Sequence, residues 1–145
     1  MGSPLLQGQP REMRTVFADA HYYLSLASMR DESHERAVAL SRTLRCAIVT
    51  TAWVLTEVGD ALATSGQRPV FLDLLRDLRD DPNTILAHAT RELFESGVAL
   101  YARRMDKEWS LTDCISFVVM EQHGIREALT ADHHFEQAGF VALLK

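Results

Sequence analysis

The chain has 145 residues, 47% of them hydrophobic and 24% charged, with a formal net charge of −5. This composition is typical of a folded globular protein and excludes an intrinsically disordered chain. No stretch approaches the roughly 20 consecutive apolar residues of a transmembrane helix, and the acidic balance argues against a protein that holds nucleic acid by bulk charge alone.

The N-terminal segment differs from the rest of the chain. Residues 1–12 are polar, contain glycine and proline, and lack the apolar centre of a signal peptide. We expect a flexible arm or tag remnant there and a single domain over residues 13–145. Cys46 and Cys114 are far apart in apolar surroundings, which favours buried thiols in a reducing cytoplasm over a disulfide. The sequence therefore predicts a cytoplasmic protein.

Short apolar runs alternate with longer amphipathic segments along the predicted domain. Strands are predicted at residues 14–18, 46–50, 84–88, 127–130 and 140–144. Helices are predicted at 20–29, 33–44, 70–79, 90–105 and 111–121. A further helix is predicted to begin at a cap formed by Thr50 or Thr51 and to end at Ala63. This alternation predicts an α/β fold: a mostly parallel sheet of about five strands between two layers of helices.

Four acidic residues occupy positions where a charge is costly. Asp19 ends the first strand, Glu57 interrupts an apolar helix, Asp113 opens another, and Asp132 closes the run after the fourth strand. A buried carboxylate needs a cation or hydrogen-bond donors to offset its lost hydration. Because ligands of open α/β sheets bind at the carboxyl ends of the strands, we expect these acids to form one shared metal site.

Each acid also has an ordinary structural explanation. Asp113 fits the third helical position of a capping box that begins at Ser110. Asp19 suits the cap of the following helix, and Asp132 suits a turn. Glu57 is the hardest to explain in this way, because its neighbours in sequence are apolar, although one side of its helix must face water.

Other polar clusters carry weaker signals. We expect a surface role for His133 and His134, because adjacent side chains point in different directions and neither cysteine has zinc-like spacing. The basic residues at 36–45 and 103–107 are expected to be solvated helix faces. No phosphate-binding glycine loop or serine-hydrolase motif is present.

Four blocks of this sequence resemble a PIN domain of the compact bacterial kind found in VapC-type toxin ribonucleases. The resemblance extends from about residue 15 to residue 144. Its most specific block is 106–117, which contains Ser-x-Thr-Asp followed by small and apolar residues, and the block 129–140 is the next most specific. The blocks 16–19 and 56–62 add the first two acids.

The resemblance implies a PIN-like three-layer sandwich and a metal-dependent ribonuclease that hydrolyses RNA phosphodiester bonds. By analogy with the family, Asp19, Glu57, Asp113 and Asp132 gather around one or two Mg²⁺ or Mn²⁺ ions and are the catalytic residues. Hard oxygen ligands suit such ions. The expected partners are an RNA substrate, a small antitoxin of a type II toxin–antitoxin pair and a second copy of the chain, with no membrane.

Two threonines flank the acids. Thr112 and Thr130 are candidates to orient a water or a carboxylate, and ordinary capping and turn hydroxyls are the alternative. At His21 the sequence departs from the family, which often has a small hydroxyl residue there.

Other functions remain open at this stage. The same fold could serve a non-catalytic RNA-binding or interaction domain, which needs no divalent ion. A haloacid-dehalogenase-type phosphohydrolase is disfavoured, because position 21 is histidine where that chemistry needs a second aspartate. A scaffolding role for the leucine-rich helix at 70–78 competes with simple core packing.

Overall fold

A computed structural model describes residues 14–145, so the predicted arm at 1–12 lies outside the described residues. A single domain over 13–145 stays a prediction. The strands are β1 (Arg14–Ala18), β2 (Cys46–Thr51), β3 (Thr84–Ala87), β4 (Glu127–Leu129) and β5 (Val141–Ala142). The helices are α1 (Ala20–Ala27), α2 (His34–Thr43), α3 (Ala52–Ala61), α4 (Arg68–Asp80), α5 (Arg91–Arg103), α6 (Leu111–His123) and α7 (His133–Gln137).

The five strands form one sheet in the order β3-β2-β1-β4-β5, and all four pairings are parallel. The chain proceeds from β1 towards one edge and later returns to add β4 and β5 on the other side. Right-handed crossovers then place α1–α4 on one face and α5–α7 on the other. Contacts of α1 with α2 and α3, and of α5 with α6, agree with this grouping. The predicted three-layer α/β/α architecture is confirmed.

Strand β1 lies at the centre of the sheet and is buried on both faces. Val16, Phe17 and Ala18 have no exposed surface. A central parallel strand covered by helices on both sides shows an unbroken apolar run instead of alternation. This is why its bounds agree with the prediction from the sequence.

The helix α7 has no counterpart in the prediction, because five residues are too few to display a helical period. Aromatic packing holds it in place. Phe135 is fully buried, and its ring meets Phe117 edge-on with centroids 4.9 Å apart. Phe117 also packs edge-on against Trp109 at 5.0 Å. The packing of α7 fixes the position of Asp132, which precedes it.

Two predicted boundaries need correction. The helix predicted at 70–79 begins earlier, at Arg68, and Pro69 lies in its first turn, where its missing amide hydrogen costs nothing. The last strand is only Val141–Ala142, shorter than the predicted 140–144. Gly124 ends α6 in the left-handed conformation, with φ of 65°. Among the described residues, no helix is long and apolar enough to span a membrane.

Candidate metal centre

The neighbouring strands β1 and β4 bring two of the predicted acids to the same sheet edge. Asp19 follows β1 directly, and Asp132 comes three residues after β4. Ala18 is paired with Leu129, and the Asp19 amide lies 3.4 Å from the Leu129 carbonyl oxygen. The strand order reverses between β1 and β4, so both acids lie at the topological switch point, where ligands of open α/β sheets bind.

Thr130 connects these two acids. Its buried hydroxyl donates to Asp19 Oδ2 at 2.9 Å and accepts from the Asp132 amide at 3.1 Å. Asp19 occupies the N-cap position of α1, yet its side chain makes no capping hydrogen bond. Helix capping therefore does not account for this side chain, although the adjacent Ala20 amide helps to lower its pKa. Thr112 is half-buried, and within residues 14–145 its hydroxyl has no hydrogen bond to any of the four acids.

Asp113 forms the capping box that the sequence suggests. The Ser110 hydroxyl accepts from the Asp113 amide at 3.0 Å, and Asp113 Oδ2 accepts from the Ser110 amide at 3.2 Å. Asp113 is nevertheless buried, which an ordinary capping residue on a helix surface is not. The cap fixes the carboxylate at the start of α6, where the helix dipole favours a negative charge.

Glu57 lies on the side of α3 that faces water. Its apolar sequence neighbours Val54, Leu55 and Val58 are buried on another side of that helix. Because an α-helix has 3.6 residues per turn, residues that are adjacent in sequence point to different faces of the helix. The apolar character of the neighbouring residues in the sequence therefore does not reveal whether Glu57 itself is buried.

The four acids perturb one another electrostatically. Burial, opposed by the Thr130 hydrogen bond and reinforced by Asp113 and Asp132, raises the pKa of Asp19 to about 6. Lost hydration around the Glu57 carboxyl group, together with the charges of Asp19, Asp113 and Asp132, raises its pKa to about 7. Burial also raises the pKa of Asp113, and Asp132 adds to that effect. Asp19, Glu57 and Asp113 therefore each respond to the charge of at least one other acid of the set.

The donor set fits a hard divalent cation. Within the described part of the chain, no lysine or arginine forms an ion pair with any of these acids. Four carboxylates without a cationic partner repel one another, and a bound cation removes that cost. Oxygen donors of this kind are the ligands that Mg²⁺ and Mn²⁺ prefer. The prediction that these acids are metal ligands is consistent with this geometry and stays a prediction.

A histidine that the sequence reasoning missed completes the cluster. His134 Nδ1 lies 3.1 Å from Asp113 Oδ2 and 3.5 Å from Asp132 Oδ1. His133 is exposed, as expected, but the two rings lie side by side, with centroids 4.4 Å apart. The expectation that they point in different directions is therefore wrong. The start of α7 at His133 turns both rings towards Asp132, and that short helix leaves no periodic signal in the sequence.

Comparison with known proteins finds two that resemble this chain. No family model matches the chain. The 23S rRNA-specific endonuclease VapC20 of Mycobacterium tuberculosis, in strains CDC 1551 and H37Rv, is 28% identical over 127 residues, which are 87% of this chain and 95% of that protein. The crystal structure of VapC20, described as a sarcin–ricin loop cleaving toxin, superimposes with a TM-score of 0.79 at 26% identity. It covers 87% of this chain and 96% of VapC20. The chain is therefore similar to VapC20 in sequence and in fold over most of both proteins.

A second solved structure supports the PIN fold alone. FitAcB from Neisseria gonorrhoeae matches with a TM-score of 0.59 and 17% identity, over 88% of this chain and 94% of that one. The family resemblance drawn from the four sequence blocks is thus confirmed by a comparison of sequence and by one of structure.

Proposed function

We propose that this protein is a divalent-metal-dependent endoribonuclease and the toxin of a type II toxin–antitoxin pair. The observation that carries the proposal is the cluster of Asp19, Glu57, Asp113 and Asp132 at the switch point of the sheet, where burial and neighbouring acids raise the pKa of Asp19, Glu57 and Asp113. The likeness to an rRNA endonuclease over most of both chains supports it.

The residues of this chain have distinct parts in the proposed reaction. A bound Mg²⁺ or Mn²⁺ supplies polarisation of the scissile phosphate and a more acidic water. Asp19 and Asp113 hold the cation from buried, fixed positions, while the exposed Glu57 faces the solvent side, where RNA arrives. The Thr130 hydroxyl holds one oxygen of Asp19 and so directs the other towards the ion.

A cleft beside the acids suits an RNA strand. It has a volume of about 630 Å³ and extends to Ser110 at the start of α6. Arg104, which lies 4.9 Å above the Trp109 ring, and Lys107 line the cleft and offer donors for phosphate oxygens, although both pair with Asp106. Tyr101 is half exposed along the same cleft and offers a face for base stacking.

VapC20 acts on 23S rRNA and is described as cleaving the sarcin–ricin loop. We take a structured loop of ribosomal RNA as the first substrate class to test for this chain. A small antitoxin and a second copy of the chain are the proposed protein partners, and both rest on the family alone. The proposal of a non-catalytic RNA-binding domain on the same fold differs in one respect: its RNA binding needs no divalent ion.

The experiment measures cleavage of ribosomal RNA and of a sarcin–ricin loop oligonucleotide, with Mg²⁺, with Mn²⁺ and with chelator. Asp113→Asn keeps an acceptor for the Ser110 amide and loses the charge, whereas Ser110→Ala loses the cap and keeps the charge. We expect Asp113→Asn to be folded and inactive. Ser110→Ala should cleave RNA while losing about 1 kcal/mol of stability.

Asp113→Ala removes both features at once, so we expect abolished cleavage together with a modest loss of stability. Full activity of Asp113→Asn, or cleavage by the wild type that chelator leaves unchanged, would contradict the assignment. Manganese calorimetry on the wild type, Asp19→Ala and Asp113→Ala tests the ion site without an RNA substrate.

A further inference from the structure

One acid and two histidines bring three possible metal ligands together at the start of α7, and Asp113 lies beside one of the histidines. The Nδ1 atoms of His133 and His134 lie 3.6 and 3.5 Å from the same oxygen, Asp132 Oδ1. His134 Nδ1 is also 3.1 Å from Asp113 Oδ2. The ligand atoms of Asp132, His133 and His134 all lie within 4.8 Å of one another.

These separations match the ligand shell of a transition-metal ion. Zinc binds histidine nitrogen and carboxylate oxygen at about 2.0–2.2 Å, so neighbouring ligands of a tetrahedral ion are about 3.3–3.6 Å apart. The two nitrogen–oxygen separations to Asp132 Oδ1, 3.6 and 3.5 Å, agree with this range, and the three ligand atoms lie within 4.8 Å of one another, so a small rotation of the exposed His133 ring closes the shell. Imidazole nitrogen suits Zn²⁺ and its neighbours in the first transition series, whereas Mg²⁺ selects oxygen.

The backbone holds these ligands in place before any ion binds. Asp132 caps α7, and its Oδ1 accepts from the His134 amide at 2.9 Å. The buried Phe135 anchors the helix against Phe117, so the histidine positions do not depend on an ion. The His133 side chain is 64% exposed, which gives an ion from solvent direct access to the cluster.

We propose that Asp132, His133 and His134 form a binding site for a borderline transition-metal ion, with Zn²⁺ as the first candidate. The site shares Asp132 with the carboxylate centre, and His134 contacts Asp113 of that centre, so binding of Zn²⁺ and of Mg²⁺ is mutually antagonistic. If the proposed ribonuclease activity is correct, Zn²⁺ at this site inhibits it. Only that last consequence rests on the proposed function.

Cobalt absorption spectroscopy and zinc calorimetry on the chelator-stripped full chain test the site. The variants are His133→Ala and His134→Asn, of which the second keeps a donor towards Asp113. His88→Ala is the matched control, an exposed histidine just beyond the edge strand β3.

We expect one Co²⁺ per chain, with the strong visible bands of a low-coordinate nitrogen and oxygen site. Each histidine variant should bind Zn²⁺ at least about tenfold more weakly than the wild type. Removing a residue that only orients a metal ligand already weakens metal binding by about tenfold or more, and removing the ligand itself should weaken it at least as much. His88→Ala should bind as the wild type does, and Zn²⁺ should weaken Mg²⁺ binding in the wild type.

Zinc affinity that both histidine variants retain, or simultaneous binding of both ions without interference, would overturn the proposal. The two proposals fail separately. Cleavage of RNA without zinc binding rejects only this inference, and zinc binding in a protein that cleaves no RNA rejects only the ribonuclease.

Discussion

The buried carboxylate of Asp19 is predicted to destabilise the metal-free protein at neutral pH. Its pKa rises from 3.8 to about 6 on folding, with burial as the largest cause. This rise corresponds to roughly 3 kcal/mol against the folded state once the group is ionised. Asp19→Asn carries no charge and can still accept the Thr130 hydrogen bond. The variant should therefore be more stable than the wild type by up to about 3 kcal/mol.

The sign of this effect depends on pH. A carboxyl group whose pKa is higher in the folded state binds more protons there, so the free energy of unfolding falls as pH rises. For Asp19 the fall begins near its unfolded value of 3.8 and is complete above about 6. The advantage of Asp19→Asn should be fully developed at pH 8 and absent at pH 3, where both side chains are neutral.

Urea unfolding at pH 3 and pH 8, each with chelator and with Mg²⁺, measures this difference. Saturating Mg²⁺ at about 100 times its Kd should add roughly 2.7 kcal/mol to the wild type and much less to Asp19→Asn. Asp106→Asn is the control, because Arg104 holds the pKa of that exposed carboxyl at about 2, and its loss should bring no gain. An Asp19→Asn variant no more stable than the wild type at pH 8 in chelator would refute the reasoning.

Three further predictions concern the site and the packing around it. The Mg²⁺ affinity should rise from pH 5 to pH 8, because the ion competes with protons on Asp19 and Glu57, whose pKa values are about 6 and about 7. The rise should be about tenfold per pH unit for each proton that the ion displaces. Calorimetry at several pH values measures this affinity. Thr130→Val removes the hydrogen bond that lowers the pKa of Asp19, so this affinity profile should shift to higher pH, as an NMR titration of the carboxyl group would show. Gly97→Ala should lose about 1–3 kcal/mol of stability in urea, since its Cβ would lie 2.3 Å from Ile115 Cγ1 where α5 packs on α6.

Each of these predictions has a contrary outcome. A Mg²⁺ affinity independent of pH would mean that neither raised carboxyl group meets the ion, and an unchanged profile in Thr130→Val would remove that threonine from the site. For the packing prediction, Gly66→Ala is the control, because a Cβ there meets nothing within 4 Å. If the Gly97 and Gly66 variants are equally stable, the Ile115 side chain must move away from the new Cβ with little loss of stability.

The sequence alone determined the architecture, because the elements that define it carry strong local signals. The fully buried strand β1 appears as an unbroken apolar run, and the Ser110 capping box marks the start of α6. The alternation of such runs with helical segments predicts a parallel α/β sheet, and the structure confirms it. Asp19 and Asp132 were recognisable because each follows a predicted strand.

Only the tertiary structure decided how the acids meet and what lies beside them. The adjacency of β1 and β4 arises from a reversal of strand order, which no local pattern encodes, and it brings Asp19 beside Thr130. The exposure of Glu57 follows from the rotation of its helix, and the place of His134 follows from the packing of a five-residue helix. Thr130 and Asp19 are more than 100 residues apart in the chain, yet they are hydrogen-bonded in the site. Such a site forms only when the whole sheet forms, because its residues are not close to one another in the sequence.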